Sequence, residues 1–456
     1  MTGDADTALA NLARIDHLVV LIMENRSFDH MLGYLSLAGR TDVDGLKPGM
    51  SNTFQPHAGG PPTTIPSHRM LSTGMADGQD PCHAGACVDQ QIANGMSGFV
   101  QNYHDHYPND PNPGVVMGYY DAAALPVYDF LAKQFAIADR WFASVPGETW
   151  PNRLYAVSGR AMGGRENSPP PLLQFRTHAF VRELDALGVT WKGYGDSTHY
   201  TIRQADENYR ASENFEPISG GFHDSFGFIR DARTGQLPAV SLLDPHFFSN
   251  DDHPPADVRN GQALVARIYD ALASSPNWNQ LLFVIVYDEH GGFFDHVDPA
   301  DYPTVDDDGF NRYGVRVPAF FIGPYVDGGV CHHSVFDHTS LIKTILLRFC
   351  ARDGAIPDMG KRVAAARHVG EVLARAAPRA APPLPVSMVA KLARLKAENF
   401  TAAVRARPSV PSSDEVHFIA AVKETQRQLQ GAIKPAAPRR RKGQSSQRGK
   451  RRSSRA

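Results

Sequence analysis

Residues 15–23 (IDHLVVLIM) form a near-continuous apolar run, rich in β-branched side chains and bounded by polar segments. Such a run reads as a strand buried on both faces, the condition of a strand inside a parallel sheet. Residues 281–287 (LLFVIVY) and 317–323 (VPAFFIG) have the same character. Between these runs the apolar residues fall at helical spacing, over 127–136, 262–274 and 340–350. Strands alternating with helices predict an α/β fold: a mostly parallel central sheet with helices on both faces.

Residues 40–120 and 195–260 are rich in Gly, Pro, Asn, Asp and His, with weak periodicity. They read as long excursions above the carboxyl ends of the strands, where open α/β sheets place their ligands. The organisation expected is a lead over 1–14, a catalytic domain over 15–352, a helical C-terminal segment over 353–433 with helices near 388–406 and 414–430, and a disordered tail over 434–456. That tail carries ten Lys/Arg and no acid, leaving 36 bases against 48 acids in the rest of the chain, a net of −12. A basic end on an acidic body is suited to peripheral contact with anionic membranes. No apolar run approaches the roughly 20 residues of a membrane-spanning helix. The N-terminus (MTGDADTALANLARIDH) lacks the positive start and apolar core of a secretory signal. The default compartment is then the cytoplasm, with secretion by another route as the alternative.

Three segments carry chemistry. Glu24 and Asn25 directly follow the first apolar run, one an anionic and one an amide oxygen ligand suited to an oxygen-preferring divalent ion; they read equally as caps of the next helix. In SVPGETWPNRLYAVSG, Gly147 allows a turn, Thr149 stands at a helix start and Pro151 fits its first turn. A hydroxyl there has the positive end of the helix beside it, which suits attack on phosphorus, although Thr is also a common helix cap. Asp288 and Glu289 follow the LLFVIVY run, and adjacent carboxylates at a strand end are costly to hold unless a cation or proton is shared. Four cysteines are too few for a disulfide scaffold. Cys82 and Cys87 are close enough to pair, and a zinc set of Cys82, His83, Cys87, Cys331, His332 and His333 is the alternative to packing or a local disulfide.

Seven blocks, in order, resemble those of the bacterial phosphoesterase family: ENRSFDHMLGYL, SVPGETWPNRLYAVSG, DDHP at 251–254, NGQALVARIYDALASSPNW, DEHGGFFDHV, YGVRVPAFFIGPYV and FDHTSLIKTILLRF. The family contains phosphatidylcholine-preferring phospholipases C, plant non-specific phospholipases C and a respiratory-burst-inhibiting acid phosphatase. The resemblance covers roughly residues 15–350. It implies an alkaline-phosphatase-like α/β/α sandwich with one divalent ion, Ca, Mg or Mn favoured over Zn, held by Glu24, Asn25, Thr149, Asp288 and Glu289. It also implies Thr149 as nucleophile, with His83, His253 and His338 around the phosphate. The substrate expected is a phospholipid or small phosphate ester, with no specific protein partner, and aromatics of the excursions lining the pocket. Acid phosphatase action on monoesters is the alternative. A non-catalytic binder of anionic surfaces or nucleic acid through the tail is the alternative of another class.

Overall fold

The first apolar run folds as strand β1 (His17–Met23), buried from Leu18 to its end. The computed structural model describes residues 2–75, 79–167, 178–195, 202, 205–209, 212–220 and 223–388. In it, β1 lies inside an eight-stranded sheet with β2 (Ala136–Ala138), β3 (Trp191–Tyr194), β4 (Phe215–Glu216), β5 (Val240–Leu243), β6 (Leu281–Tyr287), β7 (Ala319–Ile322) and β8 (Val330–His332). The strand order is β8-β2-β7-β6-β1-β5-β3-β4. β1 is parallel to both neighbours, with Leu18 opposite Leu282 and Val240, and Met23 opposite Tyr287. Only β7 runs against its neighbours, β6 and β2.

The helices that position the site are α1 (Thr2–Leu12), α2 (Gly85–Met96), α3 (Phe99–His106), α4 (Pro126–Gln134), α5 (Thr149–Ser158), α6 (Val258–Ala273) and α7 (Thr339–Phe349). Side chains of a strand alternate between faces. Val20 and Ile22 line a small cavity with Ala156 and Val157 of α5 and Leu341 and Ile345 of α7. Met23, on the other face, reaches Gly261 of α6. The sheet is therefore covered on both sides, as the expected α/β/α layering requires. No described helix is long and apolar enough to cross a membrane.

Two expectations change. The stretch 195–260 is not all excursion, because β5 within it pairs with β1 in the middle of the sheet. Its four residues are too few to stand out from the polar sequence around them. The stretch 40–120 does build a second core, of Leu46, Phe54, Val88, Ile92, Phe99, Val100 and Val116, which Phe294 and Val315 from later in the chain complete. Beyond Arg352 the chain stays on the main core, burying Val363, Val369, Val372 and Leu373. The helices expected near 388–406 and 414–430 lie, but for Met388, outside the described residues, as does the basic tail.

A buried ion network ties the segment after β6 to the helix Phe28–Met31 that follows β1. Arg316, fully buried, donates to Asp295 Oδ1 at 2.8 Å and Asp29 Oδ1 at 3.2 Å. His296 places Nδ1 2.6 Å from Asp29 Oδ2 and Nε2 3.1 Å from Asp44 Oδ1, which only the doubly protonated ring satisfies. Burial opposes that charge, but Asp29 and Asp44 outweigh burial and the Arg316 cation, raising the ring pKa to about 9. A raised pKa means that the fold favours the protonated ring. Its stabilisation is complete below the unfolded value of about 6.5 and is lost as pH rises through about 9. His296→Ala should therefore cost on the order of 2–3 kcal/mol near neutrality and little at pH 10. Urea denaturation of both proteins at the two pH values checks this, and an equal loss at both would contradict it.

Candidate active site

Glu24 and Asn25 leave the carboxyl end of β1, and Asp288 and Glu289 leave that of β6, so the parallel pairing of the two strands sets them side by side. The capping role open to Glu24 and Asn25 belongs instead to Ser27, whose hydroxyl accepts from His30 N. Asn25 takes a left-handed conformation, φ 55°, and its N–H donates to Asp288 Oδ1 at 3.0 Å. The loop beyond Glu289 then crosses close over β1. A Cβ on Gly291 would meet Asn25 O at 2.0 Å, and one on Gly292 would meet Cys82 O at 2.8 Å; both residues have positive φ. Only glycine fits there.

Thr149 is the first residue of α5, and its hydroxyl is not spent on capping. It donates to Glu24 Oε2 at 3.2 Å and lies 3.5 Å from Asn25 Oδ1. Asn152 holds the preceding turn against the helix, accepting from Val145 N at 3.0 Å and donating to Gly147 O and Glu148 O, each at 3.0 Å. One turn into α5, Arg153 reaches back to the same carboxylates. It donates through Nε to Glu24 Oε1 at 2.8 Å and through Nη1 to Asp244 Oδ1 at 2.6 Å, and its Nε lies 3.8 Å from Asp288 Oδ2.

The histidines fall into distinct settings. His83 Nδ1 donates to Pro81 O at 2.8 Å, while Nε2 lies 3.1 Å from Asn25 Nδ2 and 3.9 Å from Glu289 Oε1. The Cys82–Cys87 disulfide encloses it. His253 stands between Asp80 Oδ2, 3.4 Å from Nε2, and Glu24 Oε2, 3.9 Å from Nδ1. His338 has both nitrogens engaged: Nε2 donates to Asp288 O at 2.6 Å and Nδ1 accepts from Trp141 Nε1 at 3.3 Å. His290 bonds Gln91 Oε1 through Nε2 at 2.8 Å and places Nδ1 3.3 Å from Glu289 Oε2.

The electrostatics follow from negative charge crowded into a dry space. Glu24, Asp288 and Glu289 are each at most 1% exposed. Burial, then the charges of Glu24 and Glu289, hold the Asp288 carboxyl well above the ordinary range, against the pull of Arg153. Burial also pushes Glu24 up, but Arg153 and His253 outweigh it and leave Glu24 below its usual value. Burial disfavours charge on His253, yet Asp80 and Glu24 raise its pKa well above normal. His338 goes the other way, lowered by burial to about 4. Asp288 Oδ2 and Glu289 Oε1 are buried without a hydrogen-bond partner. The donors do not form a tight knot, since Glu24, Asp288 and Glu289 are not among the described groups whose ligand atoms all lie within 4.8 Å of one another.

The zinc set of Cys82, His83, Cys87, Cys331, His332 and His333 does not assemble. Cys82 and Cys87 are joined to each other, and Cys331 sits in β8 beside Asp139 and His333. The aromatic lining also shrinks. Tyr103, Tyr120 and Tyr194 are buried, with hydroxyls bonded to Asp110, Thr73 O and Asp231. Tyr200 and Phe222 lie outside the described residues. Phe248 packs at 4.5 Å on His253, and Arg153 lies 5.1 Å over Phe247, so these two rings border the site. Sequence reasoning passed over Arg153, Asp244 and Asp80. Arg153 lies inside the TWPNR block, and Asp244 ends the strand that was missed.

Fold and site together place the molecule among the α/β enzymes that collect their ligands at the carboxyl edge of a mostly parallel sheet. The Phosphoesterase family model matches residues 15–350, and the chain belongs to that family; it is a phosphoric ester hydrolase. It is 33% identical over 422 residues to non-specific phospholipase C4 of Arabidopsis thaliana, covering 83% of this chain and 75% of that protein. It is 29% identical over 409 residues to phospholipase C B of Mycobacterium tuberculosis, covering 76% of this chain and 77% of that one. Among solved structures, an alkaline phosphatase superfamily protein from Vibrio parahaemolyticus aligns over 87% of this chain and 96% of its own, at 13% identity and a TM-score of 0.34.

Arg153 is the cation nearest to three buried carboxylates, and truncating it would leave them facing one another. Arg153→Ala should lower the unfolding free energy by about 3–5 kcal/mol, the cost of stranding buried charge. Arg153→Lys, which keeps a charge but loses the fork, should lose less. Denaturant titration at neutral pH measures both, and an unchanged midpoint for the alanine variant would mean that the carboxylates are balanced by something else.

Proposed function

We propose that this hydrolase is a metal-dependent phosphodiesterase of the phospholipase C type, working through a phosphothreonine at Thr149. The observation that carries the reading is the position of Thr149 Oγ1, at the start of α5 and within reach of both Glu24 and Asn25. The donor set supports a cation. Glu24, Asn25, Thr149, Asp288 and Glu289 offer only oxygen ligands, two of those oxygens are buried without partners, and burial with the charges of Glu24 and Glu289 holds Asp288 above its usual pKa. Such donors fit Ca, Mg or Mn better than Zn. When bound there, the ion would neutralise phosphate charge and favour the ionised form of a neighbouring hydroxyl.

The residues of the chain do the rest. Glu24, fixed by Arg153, accepts the Thr149 hydrogen bond and aims Oγ1 at the phosphorus. The positive end of α5 and the side-chain amide of Asn25 face the phosphoryl oxygens, with His83 behind Asn25. As the bond from Oγ1 to phosphorus forms, the Oγ1 proton passes to Glu24 Oε2, which accepts its hydrogen bond, the bond to the leaving alcohol breaks, and the proton held on His253 passes to the departing oxygen. His338 does not compete for that role, because its Nε2 proton is committed to Asp288 O; it orients the Asp288 backbone. Water then cleaves the phosphothreonine and frees the phosphorylated head group, leaving diacylglycerol as the other product. The phospholipid assignment draws on the names of the relatives and on Phe247 and Phe248, whose faces suit a quaternary ammonium.

Thr149→Ala should keep its thermal midpoint and lose at least about three orders of magnitude in turnover, and turnover near wild type would exclude Thr149 as the nucleophile. For substrate, kcat/KM should be higher for phosphatidylcholine or a chromogenic phosphocholine ester than for a chromogenic phosphomonoester, each at its optimum pH. The reverse ranking would move the protein to the acid phosphatase branch.

A further inference from the structure

At the edge of the sheet, away from the carboxylates of β1 and β6, the pairing of two short strands brings together a thiol, an imidazole and a carboxylate. β8 runs parallel to β2, with Cys331 opposite Ile137 and His332 opposite Ala138. The next pair in that register is His333 with Asp139. Side chains two apart on a strand share a face, so Cys331 and His333 lie on the same side, with Asp139 beside them. Their ligand atoms lie within 4.8 Å of one another. His333 Nδ1 is 2.9 Å from Asp139 Oδ1, and Asp139 Oδ2 accepts from Asp44 N at 2.9 Å.

Cys331 packs in the main hydrophobic core, and its thiol also stands at the Asp139–His333 pair. Cys331 is buried, and burial together with the Asp139 charge drives its pKa above the usual range. Asp42 adds a further negative charge that acts on both Cys331 and His333. Arg140 approaches Asp139 Oδ1 at 3.4 Å but is anchored on Asp44 Oδ2 at 2.6 Å. The His333 side chain is 59% exposed, which leaves an ion a path in from solvent.

We propose that Asp139, Cys331 and His333 form a zinc site that ties β8 to β2. One S, one N and one O donor suit this borderline ion, and a tetrahedral site with three protein ligands keeps its fourth position for water. Ligand atoms around zinc stand roughly 3.3–3.8 Å apart, so the His333–Asp139 pair, 2.9 Å apart, opens slightly to admit the ion. Binding moves the His333 proton from Nδ1 to Nε2 and releases the Cys331 thiol proton to solvent, so zinc uptake liberates one proton.

The test uses the full chain, stripped of metal, without reductant, and titrated with Co2+ and then Zn2+. Wild type should develop a thiolate-to-cobalt charge-transfer band, bleached by Zn2+, with about one proton released per ion. Cys331→Ser should abolish the band, and the exposed His333→Ala should weaken binding at least about tenfold. Cys350→Ser and Asp288→Ala should leave the band as it is. Absence of the band in wild type would overturn the site, as would a band that follows Cys350 or survives Cys331→Ser. A band that appears only after reduction would belong to Cys82 and Cys87 and would also overturn it.

Discussion

Negative charge gathered where water is absent is the constraint around which this molecule is arranged. Taking carboxylates out of water costs several kcal/mol each unless cations and donors replace the solvent. Arg153 is the chain's own answer. It is 2% exposed, its fork spans Glu24 and Asp244, and it stands on the helix that begins with Thr149. One side chain thus fixes the orientation of α5 relative to β1 and β5, and the hydroxyl at the head of that helix is aimed by the same contacts. Asp288 shows that one guanidinium does not suffice, since its carboxyl remains raised despite the cation beside it.

A second buried arginine does corresponding work beyond the loop that carries Asp288 and Glu289. Arg316, held by Asp295 and Asp29, locks the FFDHV segment under the helix after β1. The loop that carries Asp288 and Glu289 is therefore clamped at both ends, by β6 before and by this network after. In between, Gly291 and Gly292 let its backbone lie against Asn25 and the segment of His83. The oxygen donors sit on backbone that has little freedom to move, which is how a site is preorganised without bound ligand.

Much of this was legible in the sequence because strand ends are marked by abrupt changes of polarity. Glu24, Asn25, Asp288 and Glu289 follow the two longest apolar runs directly, and Thr149 stands in a turn punctuated by Gly147 and Pro151. β5 was hidden because VSLL is four residues long and its neighbours are polar. The aromatic lining was overestimated for a related reason. A tyrosine in a polar stretch looks the same whether it faces a pocket or, as Tyr194 does, a core with an aspartate for its hydroxyl. Arg153 lay in plain sight within a recognised block and Asp80 three residues before His83, but their importance comes from partners about 90 to 170 residues away, a relation that no local spacing encodes.

The sheet order sets a schedule for biosynthesis. Both partners of β1, β5 and β6, are made more than 200 residues after it. At the usual 5–20 residues per second, an apolar strand waits about 10–40 s for its first neighbour. Throughout that interval its unpaired edges are a template for other chains. Expression yield, more than the stability of the finished molecule, is then governed by what shelters residues 17–23 during synthesis.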